Sequence, residues 1–330
     1  MKKIISIILS TAMILSLTAC SSSGNETGKE GSATDTNTTY KVGIVQLVQH
    51  EALDAATKGF RDALSKKLGD QVVFDEQNAS GDSATCATIS NQFVSSQYDL
   101  IMANATPALQ AAVSATNTIP ILGTSITDYA TALDIDNWNG VTGSNVSGTS
   151  DLAPLDQQAN MIKELFPDAK NIGILYCSAE ANSKYQSTTI TGYLEDMGYT
   201  CTEYTFADSN DVASVAQSAC QGSDVIYIPT DNTAASCAEA INNITEPAGI
   251  PVIAGEEGIC KGCGIATLSI SYYDIGYSTG EMAYEILVNG ADISKMEIQY
   301  APKVTYKYMA DRAAKVGVTI PDNYEAITVE

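Results

Sequence analysis

A pattern of strand, turn and helix occurs twice in this sequence, and the repetition limits the fold more than any single motif does. KVGIVQL (41–47) has the β-branched density of a buried strand, and Leu53, Ala56, Phe60, Leu64 and Leu68 follow at helical spacing. QVVFDE and DLIMAN (99–104) read as further strands, 84–96 as a helix between them, Pro107 as the opening of another helix, and IPILGT (119–124) as one more strand. NIGILYC (171–177) then restates KVGIVQL, with Gly173 standing 130 positions after Gly43. Asp224 of DVIYI stands 125 positions after Asp99 of DLIMA, and Gly249 of GIPVI 131 after Thr118 of TIPIL. Strands that alternate with helices imply parallel sheets covered on both faces. The expected fold class is therefore α/β, with two similar doubly wound parallel-sheet lobes.

More chain follows the second repeat than a second lobe needs. SYYDIGYSTGEMAYEILVNG (271–290) places Ile275, Met282 and Ile286 on one helix face, ended by Asn289-Gly290 as a left-handed cap. A strand near 297–300 and a helix from about Tyr306 to Val316 are expected after it. Such additions imply that the chain crosses back between lobes. The first lobe is expected at 40–147 plus about 272–297 and the second at 148–271 plus about 298–330, joined by crossover hinge segments.

Ligands of open α/β sheets sit beyond the carboxyl ends of the strands, which singles out the loops at 48–52, 104–108, 124–128, 177–183, 229–232 and 255–258. In the second of these, Thr106 before Pro107 has the form of an N-cap with proline at the first helical position, which aims free amides and a positive helix end at the cleft. That end suits a carboxylate or phosphate, or is merely a satisfied cap. In the matching turn of the second repeat, Asp231 either caps its helix or holds an ammonium group beside Asn232. Ser178, Asn182 and Ser183 add hydroxyl and amide groups at another helix start. His50, the only histidine, lies in the first strand-to-helix loop.

Charge and cysteine content narrow the partners. Seventeen basic against 39 acidic residues, a net charge of −22, repel nucleic acid and anionic lipid surfaces. MKKIISIILSTAMILSLTAC has the charged start, short apolar core and small-residue end of an export signal at 1–19. Leu17-Thr18-Ala19-Cys20 resembles the lipobox of bacterial lipoproteins, which implies lipidation at Cys20; residues 21–39 then form a Ser/Thr/Gly-rich flexible tether. Of the other seven cysteines only Cys260 and Cys263 are closely spaced, and with no second pair or nearby histidine they do not make a metal site. They are either a local disulfide or idle thiols.

Enzymes fit poorly. There is no Gly-x-Ser-x-Gly, no Walker loop, no His-Glu-x-x-His and no dinucleotide fingerprint after a strand. A hydrolase would need a nucleophile placed beside His50 in space. Asp75-Glu76 and Glu256-Glu257 are adjacent pairs that read as solvated carboxylates rather than as an acid/base couple. No catalytic residue, cofactor or metal is expected.

VGIVQLVQHEALDAATKGF, ANATPALQAA, LYCSAEANS, IPTDNT and GIATLSISYYDIGY together resemble the tryptophan/tyrosine group of ABC-transporter substrate-binding lipoproteins, of the type I periplasmic-binding-protein fold. The likeness covers about residues 40–320. It implies a monomeric, lipid-anchored binder on the outer face of the cytoplasmic membrane, closing on an amino acid, with an aromatic one expected, and delivering it to a permease and its ATPase. The contacts it implies are Thr106, Ser178, Asn182, Ser183, Asp231 and Asn232, with His50, Thr127 and Glu256 beside them; Tyr129, Trp138, Tyr176 and Tyr273 are candidates to stack on an aromatic ring. A nucleoside or sugar ligand, or a role in sensing for a membrane receptor, are the alternatives in the binding class, and an exported hydrolase is the one outside it.

Overall fold

The computed structural model describes residues 38–328; the leader expected at 1–19, Cys20 and the tether up to residue 37 lie outside the described residues. The first repeat supplies β1 (Tyr40–Gln46), α1 (Glu51–Leu68), β2 (Val72–Asn78), α2 (Ser83–Ser95), β3 (Leu100–Asn104), α3 (Thr106–Ala115), β4 (Ile121–Ile126), α4 (Tyr129–Leu133) and β5 (Val146–Ser150). The second supplies α5 (Leu155–Leu165), β6 (Asn171–Cys177), α6 (Ala181–Asp196), β7 (Thr200–Phe206), α7 (Val212–Gly222), β8 (Val225–Ile228), α8 (Asn232–Ser236), α9 (Ala238–Ala248), β9 (Val252–Ala254), α10 (Glu257–Cys263) and β10 (Ala266–Ser269). Then come α11 (Tyr272–Leu287), β11 (Gln299–Tyr300), β12 (Thr305–Tyr308), α12 (Ala310–Val316) and β13 (Glu325–Ala326).

These strands form two sheets. One has the order β11-β5-β4-β3-β1-β2 and is parallel throughout. The other runs β13-β12-β10-β9-β8-β6-β7 and is parallel except where β12 opposes β10. The segments β4-β3-β1-β2 and β9-β8-β6-β7 are the same topology, so the sequence repeat is a structural repeat. Small details repeat as well. Asp99 accepts the Lys41 amide at 2.7 Å, and Asp224 accepts those of Lys170 and Asn171 at 2.9 Å each, so one carboxylate pins the start of the first strand of each repeat, β1 and β6. The Pro120 and Pro251 carbonyls accept from Ile101 and Ile226, both at 2.9 Å.

The chain passes between the sheets three times, at 151–154, 270–271 and 301–304. The second passage returns it to the first lobe, where α11 packs along α1. Their backbones nearly touch: a methyl group on Gly276 would lie 2.0 Å from the Ala56 carbonyl oxygen, one on Gly280 2.5 Å from that of Phe60, and one on Gly59 2.1 Å from that of Tyr273. Glycines four apart on one helix make this approach possible. Leu53, Phe60 and Leu64 of α1 are fully buried beneath it, worth roughly 1.5–3 kcal/mol each. Packing therefore holds α1, since His50 at its N-cap makes no side-chain cap bond.

One expectation fails. The helix foreseen from about Tyr306 begins only at Ala310, because Thr305–Tyr308 is a strand antiparallel to β10. Its β-branched and aromatic residues take the sheet edge that β10 leaves open. Gly276→Ala should cost roughly 1–3 kcal/mol by forcing the two helices apart, read as a drop in thermal midpoint; an unchanged midpoint would show that the pair yields without strain.

Candidate functional site

A narrow, nearly filled cavity lies where the carboxyl ends of both sets of strands meet. The first lobe contributes His50 and Leu53 after β1, Ser125 at the end of β4 and Asp151 just past β5. The second contributes Asn182 at the start of α6, Thr230, Asp231, Asn232 and Ala235 around the β8–α8 turn, and Glu256 after β9; Tyr272 opens α11 at the second crossover.

The second-lobe wall is a hydrogen-bonded lattice around buried Glu180. Its carboxylate accepts from the Asn232 amide at 3.1 Å and side chain at 2.6 Å, from the Asn182 side chain at 3.1 Å, and from the Thr233 amide and hydroxyl at 2.9 and 2.8 Å. Asp231 caps α8 by accepting from the Ala234 amide at 2.7 Å, and its other oxygen accepts from the Cys177 amide at 2.6 Å. Burial, with Glu180 nearby, raises its pKa well above the carboxylate range. Glu256 caps α10 through the amides of Gly258, at 2.6 Å, and Ile259, and burial pushes it up to about 7. The sequence placed Glu256 in a solvated pair; it is instead 2% exposed, because the short helix it caps turns it inward.

The first-lobe wall is less saturated. Ser125 adopts φ 56° at an irregularity in the β4–β5 register, and its buried hydroxyl has no partner among the described residues. A left-handed conformation is unfavourable for serine, and such strain gathers at functional sites. Ala105, just past the end of β3, has φ 89°. Among the described residues Asp151 accepts from two hydroxyls, those of Thr127 at 3.1 Å and Tyr272 at 2.9 Å, and from no other residue. Burial raises it to about 6.

Three interactions tie the lobes together around this cavity: His50 Nε2 lies 3.3 Å from Asn232 Oδ1, Gln186 of α6 donates to Thr127 at 3.3 Å, and Lys261 pairs with Glu51, while Tyr272 joins the second crossover to the first by donating to Asp151. Burial lowers the pKa of His50, which keeps its ring neutral near pH 7. A wider open groove on the crossover side shares Glu256 and Tyr272, but its Glu51 and its Glu257–Lys307 pair are matched with cations or each other and no unpartnered buried polar atom lines it.

Of the residues foreseen from sequence, His50, Asn182, Asp231, Asn232 and Glu256 line the cavity. Four do not. Thr106 is the first residue of α3 rather than its cap, and its buried hydroxyl is unpartnered. Thr127 is engaged with Asp151 and Gln186. Ser178 is exposed and donates to the Phe206 carbonyl, and Ser183 accepts from Asn182. Tyr129, Trp138 and Tyr176 pack in the two lobe cores, and Tyr273 bonds Asp62 on the outer face of α1. Sequence reading missed Ser125, Asp151 and Tyr272. Cys260 and Cys263 are separate buried thiols.

The family described as "ABC transporter substrate binding protein" matches residues 41–329. A "Tyrosine-binding protein" of Clostridioides difficile (strain R20291) is 38% identical over 291 residues, covering 87% of this chain and 84% of that protein. Among solved structures, an ABC domain in complex with L-Trp from Streptococcus pneumonia is 32% identical with a TM-score of 0.84, over 88% of this chain and 100% of that one. The ligand-free, open structure of a substrate binding protein with adhesive properties from Clostridium difficile is 37% identical, with a TM-score of 0.67 over 88% and 100%. The better superposition is thus on the L-Trp complex, although its sequence is the less similar of the two.

The buried carboxyls set a pH dependence. Asp151 has its folded pKa raised above the unfolded value near 4, so its burial costs nothing at pH 4 and its full amount, on the order of 3 kcal/mol, above about pH 7. The ligand-free Asp151→Asn variant should therefore gain thermal stability relative to the unaltered protein as pH rises from 5 to 7.5. A midpoint difference independent of pH would contradict a buried titrating carboxyl.

Proposed function

The chain belongs to the family of ABC transporter substrate binding proteins, and from that premise we propose that it captures an aromatic amino acid in the cavity between its lobes. It is the substrate-binding component of an ABC importer, has the type I periplasmic binding protein fold, and acts outside the cytoplasm. The observation that carries the ligand assignment is a small, polar, two-lobed enclosure with buried atoms still lacking partners: His50 Nδ1, Ser125 Oγ and Asn182 Oδ1. The tyrosine- and L-Trp-binding relatives supply the aromatic class.

In this proposal the ligand's ammonium group meets the acidic wall of Asp151, Asp231 and Glu256, and its carboxylate meets the Ser125 hydroxyl. His50, Asn182 and Asn232 complete the shell. Thr127 and Ser183 act one bond further out, through Asp151 and Asn182. A ligand that touches both walls favours the closed arrangement by its extra affinity for it. The better fit to the L-Trp complex supports taking the present arrangement as the closed one. The protein binds and does not catalyse, is a monomer, and hands its ligand to a permease driven by an ATPase. No nucleoside, sugar or receptor need be invoked, because the wall is built for charge.

Calorimetry with L-tryptophan, L-tyrosine and L-phenylalanine should give one site per chain for at least one of them. Ligand at about a hundred times its Kd should add about 2.7 kcal/mol of stability. If none of the three binds while a sugar or nucleoside does, the proposal is wrong. The lipid anchor at Cys20 is tested separately: the protein from its host should sediment with membranes, and Cys20→Ser should release it as an unlipidated precursor. Equal partitioning of both forms would remove the anchor.

A further inference from the structure

We propose that Asp151, at the first crossover between the lobes, is the counter-ion of the ligand's ammonium group, in preference to either helix-capping carboxylate. The assignment rests on the proposed amino acid ligand and goes beyond it by naming the residue that reads the charge.

The cavity wall carries three carboxylates and no lysine or arginine, and His50 is neutral. The three carboxylates are not equivalent. Each oxygen of Asp231 accepts a backbone amide, and so does each oxygen of Glu256. Those amides sit at or beside the amino ends of α8 and α10, whose positive dipole ends already offset the negative charge. Asp151 receives two hydroxyls and, among the described residues, no amide of another residue and no cation. It is 4% exposed, so nothing in solvent offsets its charge either. A buried carboxylate in that condition favours a cation strongly.

Two further atoms point to a ligand at this place. The hydroxyl of Ser125 and Oδ1 of Asn182 both belong to residues at least nine-tenths buried, both line the cavity, one from each lobe, and neither has a partner among the described residues. The location adds a mechanical meaning. Asp151 is held from one side by Thr127, which also receives Gln186 of the second lobe, and from the other by Tyr272 at the second crossover. A cation on Asp151 is therefore bound where the chain passes between the sheets, and it stabilises the junction that closure forms.

The test is a cycle between the residue and the ligand's amino group. Affinities are measured for L-tyrosine and for 3-(4-hydroxyphenyl)propanoic acid, which lacks only that group, on the unaltered protein, Asp151→Asn and Asp231→Asn. The unaltered protein should prefer L-tyrosine by roughly a hundredfold. Asp151→Asn should lower that ratio at least tenfold, whereas Asp231→Asn should lower it less. A purely structural Asp151 would weaken both ligands equally and leave the ratio unchanged, and that result overturns the assignment, as does a larger fall in Asp231→Asn. Should Asp151→Asn not fold, Tyr272→Phe serves instead. It keeps the carboxylate but removes a hydroxyl that stabilises its ionised form, while His50, Asp231 and Glu256 on the same wall stay as they are. The preference for L-tyrosine should then vanish at a higher pH than in the unaltered protein; an unmoved transition overturns the assignment. If none of L-tyrosine, L-tryptophan and L-phenylalanine binds the unaltered protein, the functional proposal itself fails, and this one with it.

Discussion

The contact between α1 and α11 makes two sheets into one binding device. Without it, the segment after β10 would have no reason to return to the first lobe, and the chain would be two beads on a string. Three glycines bring the two backbones within touching distance, and the close approach fixes where α11 begins. Its first residue, Tyr272, is thereby set on the cavity wall with its hydroxyl on Asp151. Packing far from the ligand thus decides the geometry next to it.

Electrostatics divides the work between the lobes. The carboxylates of the second lobe are satisfied before any ligand arrives: Glu180, Asp231 and Glu256 are each engaged by several donors, most of them backbone amides. That wall is rigid and preorganised. The first lobe carries the strain and the unfinished bonds, in Ser125 and Ala105 with left-handed backbones and in Asp151 with hydroxyls alone. Such a division lets one lobe template the ligand and the other respond to it.

Much of this was legible in the sequence because the repeat is a matter of hydrophobic period and strand openings, which packing cannot easily override. Gly43, Gly173, Asp99 and Asp224 fell at matching places and do matching work. Loops chosen by strand ends alone contain seven of the lining residues. What escaped had physical causes. β5 is VSGTS, too polar and small to read as a strand, so the residue after its end, Asp151, was never considered as a loop position. Ser125 sat in a chosen loop, but a left-handed serine leaves no mark in the sequence. Glu256 looked solvated beside Glu257 because adjacency on a chain does not reveal which side chain a short helix turns inward. The sequence from Tyr306 reads as helix, because only the vacant edge of β10 makes Thr305–Tyr308 a strand.

The bond between His50 and Asn232 carries a consequence for the imidazole's tautomer. Asn232 gives its amide hydrogens to Glu180, which fixes which end of its side chain is oxygen and turns that oxygen toward His50. A neutral ring facing an oxygen must put its proton on Nε2. Nδ1 is then left as a lone pair, shielded and without a partner. Glu180, which does not line the cavity, therefore dictates through Asn232 that Nδ1 of the lone histidine can only accept, so that any hydrogen bond there takes its hydrogen from the ligand.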